Sequence, residues 1–159
     1  METLRDLMAR HHRAGRVAWL GLRPERRAPM AVVEAVEAAP NGLGGDHAAA
    51  SPRIGKRAVT LLQAEHLPVI AALSGTDATP EALRRNVVVA GINLAALKGR
   101  TVRVGGAVLR PVSPCAPCSR MEETLGPGGY SAVRHHGGWY AEVAAPGRIA
   151  LGDAVALEA

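Results

Sequence analysis

The stretch TVRVGGAVLRPV, residues 101–112, decides what kind of fold this chain adopts. Val102 and Val104 flank Arg103, which is the period-2 alternation of a strand with one face buried. Gly105-Gly106 then supplies the two-residue turn that folds a second strand, 107–112, back on 101–104. Immediately upstream, NVVVA (86–90) runs apolar without alternation, as a strand covered on both faces does. A short turn or helix at 93–98 joins the two. Downstream come two short helices (118–125 and 128–135), a strand at 138–144, and a turn with a final strand across Arg148–Leu157 through Gly152-Asp153.

The N-terminal half continues the pattern. Strands are predicted at 16–22, 30–37 and 57–62, and a turn-rich loop runs from Pro40 to His47. A helix is predicted at 63–73 with Pro68 in its first turn, then a loop over Ser74–Pro80 and one helical turn at 80–84. Residues 3–14 read as a short helix with Leu4, Leu7 and Met8 on one face, an arm docked on the domain. The division expected is an arm of residues 1–15 and one domain of residues 16–159. Eighteen Gly and eleven Pro punctuate many short elements. With no Phe, two Trp and two Tyr, the core must be Val, Leu, Ile and Ala. The expected fold is mainly β with short helices (α+β), a closed or half-closed barrel carrying small helices.

Charge narrows the function. The net charge is +5, but residues 1–30 hold seven Arg against three acids, leaving the remainder nearly neutral. That body lacks the basic stripe and stacking aromatics of a nucleic-acid binder. No run approaches the roughly 20 apolar residues of a membrane span. The first 15 residues lack an apolar signal segment, so a cytoplasmic protein is expected.

Four groups of residues could carry chemistry. Cys115-Ala116-Pro117-Cys118 follows a strand and precedes a helix, where the positive end of the helix favours thiolate. A zinc site would need His135 and His136, but these are adjacent, whereas zinc fingers separate their histidines. A thiol–disulfide centre fits locally, but the alternation of strands and long helices is missing. A cysteine ligand to a cofactor metal and an ordinary buried pair of thiols both remain open. The second group, Arg84-Arg85-Asn86, could present forked donors to an anion or could be a solvated pair at a strand start. In the third, Gly42–His47, glycines allow close backbone approach, and Asp46 and His47 can serve as acid/base groups. The fourth is Ile54-Gly55-Lys56-Arg57, a phosphate contact or a plain turn.

Taken in order, PNGLGGDHA (40–48), KRAVTLLQAEHL (56–67), LRRNVVVAGINLAALKG (83–99), VRVGGAVL (102–109), PCAPCSRMEETLG (114–126) and GRIALGDAV (147–155) resemble the MOSC family. That family is named for the C-terminal domain of molybdenum cofactor sulfurase. The resemblance implies a MOSC-type barrel and molybdenum cofactor, that is, molybdopterin with molybdenum. It implies that Cys118, directly before the SRMEE segment, is the metal ligand and catalytic cysteine, with Cys115 second. It places Arg84, Arg85 and Asn86 along the cofactor and Asp46 near the same site; Lys56 and Arg57, read from their basic loop, are further cofactor-binding candidates. Some family members reduce N-hydroxylated compounds, so a small N-hydroxylated substrate and a separate electron-donor protein are expected. The alternative is a carrier that holds sulfur on Cys118 as a persulfide. The sulfurase's pyridoxal-phosphate domain, the second barrel of the amidoxime-reducing relatives and the ferredoxin module of others have no counterpart in 159 residues. A stand-alone domain is therefore expected.

Overall fold

The computed structural model describes residues 1–50 and 55–158. Its centre is a barrel of seven strands: β1 (Gly15–Leu22), β5 (Val59–Gln63), β6 (Val87–Ala90), β7 (Val102–Val104), β8 (Ala107–Pro114), β9 (Trp139–Ala145) and β11 (Ala154–Leu157). Around it they run β11-β7-β8-β9-β5-β6-β1, and β1 closes on β11 through Gly15↔Val155 and Arg16↔Ala154. All of these pairings are antiparallel except β5–β6. A smaller sheet joins β10 (Gly147–Ala150), β3 (Ala35–Ala39) and β4 (Gly42–Leu43).

Two apolar clusters explain the strand patterns. Val17, Val59, Leu61, Val87, Val89, Val102, Val104, Leu109 and Val155 fill the main core. Leu62 and Val88 point the other way and pack with Ile70, Leu83, Met121, Leu125 and Val133 from the helices. The unbroken apolar run of β6 follows, since Val87 and Val89 face one cluster and Val88 the other. In β7 only Val102 and Val104 are covered, and Arg103 reaches Glu158 in solvent.

The helical layer consists of α2 (His66–Ser74), α3 (Pro80–Leu83), α4 (Ser119–Leu125) and α5 (Gly129–Val133). Local chemistry sets their ends. Thr79 caps α3 by accepting from Ala82 N at 3.1 Å, with Pro80 in the first turn. Gly75 ends α2 in the left-handed conformation (φ 72°), a place where a side chain would be strained. Pro68 lies in the first turn of α2, where its missing N–H costs nothing.

Three expectations are corrected. The strand expected over 30–37 is two: β2 (Ala31–Val32) pairs with β1, whereas β3 pairs with β10 and β4. The chain leaves the barrel at Val33-Glu34, so one apolar run serves two sheets. The helix expected from residue 63 begins at His66, because Gln63 completes β5 and holds Ile92 O and Leu94 N by its amide. The arm forms only α1 (Leu4–Met8), closed by a Thr3/Asp6 capping box. Its apolar face is not docked: Leu4, Leu7 and Met8 are 73%, 50% and 61% exposed. No helix among the described residues is long and apolar enough to cross a membrane.

Candidate functional site

The site is built where β1 ends, β6 begins and the two cysteines join β8 to α4. Its anchor is Asp46. This carboxylate is fully buried and accepts from Arg23 N (2.8 Å), Arg23 Nε (3.2 Å), Arg23 Nη2 (3.0 Å), Ala48 N (3.2 Å) and Asn86 Nδ2 (3.1 Å). Burial alone would raise its pKa, but the Arg23 hydrogen bonds and charge outweigh burial and hold it below the usual carboxylate range. Asp46 is thus a fixed negative charge that orients Arg23. His47 follows it with an exposed side chain, and its N–H donates to Arg23 O at 2.7 Å.

Asn86 is completely buried and ties three strands together. Its amide donates to Gly21 O (3.0 Å) and to Asp46, and its oxygen accepts from Thr60 N (3.2 Å) and Thr60 Oγ1 (3.1 Å). It does not face an open surface; beyond the strands it holds Asp46 and, through its oxygen, Arg23.

The two arginines before it are largely committed to backbone. Arg84 takes the left-handed conformation (φ 55°) at the end of α3 and donates to Ala28 O and to Glu25 O, the latter at 3.2 Å. Burial and the nearby charges of Arg120 and Arg23 lower its pKa, which marks a crowded basic region. Arg85 is buried and donates through Nε to Gly137 O (2.6 Å) and through Nη1 to Leu83 O (3.0 Å). Neither presents a whole guanidinium fork to solvent. Arg57 lies over the Tyr140 ring at 5.0 Å from the centroid, and Lys56 is exposed. Ile54 of the same loop lies outside the described residues.

The cysteines differ sharply. Cys115 is buried, and its N–H donates to Gly138 O at 2.8 Å. Burial raises its thiol pKa, opposed by the charges of Arg85, Arg23 and Arg57. Cys118 is exposed at the N-cap of α4, in extended conformation, with its C=O accepting from Met121 N at 2.9 Å. The placement expected for Cys118, directly before the helix, is the one found.

Beside this loop opens a cleft of about 620 Å³, bordered by Cys115, Pro117, Tyr130, Arg134, His135 and Trp139. That volume is in the range of small-molecule sites. The 134–138 turn, joined to Cys115 through Gly138 O, also borders the cleft, with His135 at φ 69° and Gly138 at φ 92°. His136 meets His66 edge to face at 5.2 Å, and its buried Nδ1 finds no partner among the described residues. No group of three or more His, Cys, Asp or Glu among the described residues is arranged to hold a metal ion unaided.

Several of these residues carry no sequence motif. Arg23, Arg120, Arg134, Tyr130 and Trp139 were not singled out above. One usable signal was rarity: three of the four large aromatic side chains in this Phe-free chain, Tyr130, Trp139 and Tyr140, fall within eleven residues. Arg23 had none, because its partner Asp46 lies 23 residues away in a loop.

Comparison with known proteins agrees with the fold. The family model described as the MOSC domain matches residues 9–156. The chain resembles the crystal structure of the YuaD protein from Bacillus subtilis, with a TM-score of 0.76 at 18% identity over 90% of this chain and 94% of that one. It resembles YiiM from Geobacillus stearothermophilus, with a TM-score of 0.73 at 17% identity over 91% and 75% of the two chains. It also resembles YiiM from Escherichia coli, with a TM-score of 0.68 at 20% identity over 91% and 70%. No protein of curated function matches the sequence.

Proposed function

The chain belongs to the MOSC domain family, and we propose that it binds molybdenum cofactor through Cys118 and reduces small N-hydroxylated compounds. The observation that carries this is the placement of one exposed thiol at the N-cap of α4, three residues after Cys115, which borders the cleft and feels the charges of Arg85, Arg23 and Arg57. The residues fit the group. A soft sulfur ligand suits a transition metal, and the summed positive field of Arg23, Arg84, Arg85 and Arg120 suits the anionic phosphate of a pterin, with the forks of Arg84 and Arg85 held by backbone carbonyls. When bound, the cofactor supplies the two-electron chemistry that converts an N-hydroxyl group to an amine, with two protons consumed and water released.

The chain's own residues do the rest. Cys118 provides the thiolate ligand. Asp46 keeps Arg23 in place and Asn86 locks both to the barrel wall. Of the pair Asp46 and His47, His47 is the one whose side chain reaches solvent and can move protons. Buried Cys115 supports the loop beneath Cys118. The electrons come from a separate donor protein.

Protein produced in a cell with ample cofactor should carry molybdenum and pterin in equal amounts, measured by metal analysis and by fluorescence of the oxidised pterin. Cys118→Ala should lose the molybdenum and the reduction of a hydroxylamino base or amidoxime. Wild-type protein without molybdenum, or full reductase activity in the variant, would sink the proposal.

The exposure of Cys118 also favours a second reading, a carrier that accepts sulfur as a persulfide and passes it on. Such a carrier would show a single transferable sulfur on Cys118 by mass spectrometry, without bound metal.

A further inference from the structure

We propose that residues 1–14 are a basic amphipathic arm that seats the protein on an anionic lipid surface, with Leu4, Leu7 and Met8 entering the bilayer interface. The arm lies on the surface and does not cross it. The contact is independent of any cofactor.

Three observations converge on it. The first is an uncovered apolar face. Leu4, Leu7 and Met8 are spaced i, i+3 and i+4, so they share one side of α1. Four of the nine exposed large apolar side chains among the described residues, Met1, Leu4, Leu7 and Met8, fall within this one short segment. Leu7 and Met8 line a crevice with Gly91, Ile92 and Asn93, yet both keep half or more of their surface. No residue of α1 is buried. A helix of five residues is too short to hold itself in water, where roughly 12 to 15 are needed, so a further surface is required to complete it. The second is charge. Residues 1–16 hold Arg5, Arg10, Arg13 and Arg16, all exposed, against Glu2 and Asp6. Both acids are engaged within the arm. Glu2 pairs with Arg10, and Asp6 accepts from Thr3 N and Thr3 Oγ1 at 2.7 and 2.8 Å. Arg5 and Arg13 form no ion pair among the described residues. Apolar side chains set among cationic ones suit the boundary between anionic headgroups and acyl chains. A second copy of the arm would bring these arginines against their like, which disfavours pairing of the arm with itself.

The third is position. The arm leads into β1 at Gly15, and Arg16 pairs with Ala90 at the end of β6. Leu20 pairs with Val87 at the start of β6, so Arg23 and Asn86 lie at the other end of these strands. The eight residues of β1 span roughly 25 Å. A protein seated by its arm would therefore keep the Arg23–Asp46–Asn86 end of the barrel clear of the lipid.

Sedimentation with vesicles tests this. The protein should pellet with vesicles of equal parts phosphatidylcholine and phosphatidylserine, and stay in solution with phosphatidylcholine alone. Added salt should release it. Arg5→Gln combined with Arg13→Gln should weaken binding about thirtyfold, the worth of two charges at an anionic surface. Leu4→Ser combined with Leu7→Ser should weaken it about tenfold or more. Both variants should melt as the wild type does, because none of the four side chains is buried. No pelleting with the mixed vesicles, equal pelleting with both kinds, or unchanged binding in either variant would overturn the proposal. A lowered melting temperature in the leucine variant would overturn it too, by showing the face docked on the domain. So would a wild-type dimer in analytical ultracentrifugation that the leucine variant abolishes, since the face would then belong to a second copy of the chain.

Discussion

At the scale of single residues, the end of the barrel depends on one buried charge. Asp46 is buried beside Arg23, whose side chain is only 15% exposed, and both are tied to Asn86. Removing one partner of such a pair leaves a buried charge unanswered. Asp46→Asn should therefore cost about 3 to 5 kcal/mol of stability near neutral pH, read from urea denaturation. The pH dependence has a definite sign. The folded-state pKa of Asp46 lies below its unfolded value, so its stabilisation is complete above the ordinary carboxylate range and lost as pH falls through the lowered value. The gap between wild type and variant should close in acid. A gap that stayed constant down to strongly acidic pH would mean that Asp46 is not ionised in the fold. Molybdenum retention should fall in the same variant, because Arg23 loses the carboxylate that aims it.

At the scale of elements, the structure shows what periodicity conveys and what it leaves out. The run Val87–Ala90 announces a strand covered on both faces, and Val102–Val104 with Ala107 onward announces a hairpin, because burial pattern and turn chemistry are local properties. The split at Val33-Glu34 was not legible, since it depends on β10, which pairs with β3 from more than a hundred residues away. The same holds for the site. The position of Cys118 before a helix start was readable, whereas the engagement of Arg85 with Gly137 depends on a turn fifty-two residues on. That turn is itself a test. Gly138 has φ 92°, and a Cβ there would run into the Leu61 backbone where β9 meets β5. Gly138→Ala should destabilise by about 3 kcal/mol from strain alone and should expose Cys115, whose N–H bonds Gly138 O, to thiol reagents. Helix α2 and this turn also share the His66–His136 contact. Burial, then the nearby His136, depress the pKa of His66, with Glu65 opposing. The unfolded chain thus takes up the proton first, and stability falls as pH drops through the histidine range. Melting temperature should decline from pH 8 to pH 5, and His66→Gln should flatten that decline; an unchanged slope would remove His66 as its source.

At the scale of the molecule, the barrel is closed by its weakest seam. Strands β1 and β11 come from opposite ends of the chain and share only the pairs Gly15↔Val155 and Arg16↔Ala154, supported by Val17 N–H donating to Asp153 O at 2.8 Å. The β8–β9 seam, by contrast, runs over six register pairs between strands linked by residues 115–138. Closing β1 on β11 costs the chain entropy of a loop spanning almost the whole domain before any contact there returns it. This joint should form after the folding transition state, and refolding should take milliseconds to seconds, as for other folds rich in distant pairings. Val155 is the side chain that tests the order of events, because it is 1% exposed and sits in the core on the closing strand. Val155→Ala should cost about 2 kcal/mol of stability, and nearly all of it should appear as faster unfolding, with the folding rate almost unchanged. Stopped-flow measurement of both limbs would decide it. A matching slowdown of folding would place the seam in the nucleus, so that the barrel closes first and the cysteine loop, the 134–138 turn and the cleft between them are assembled on a finished wall.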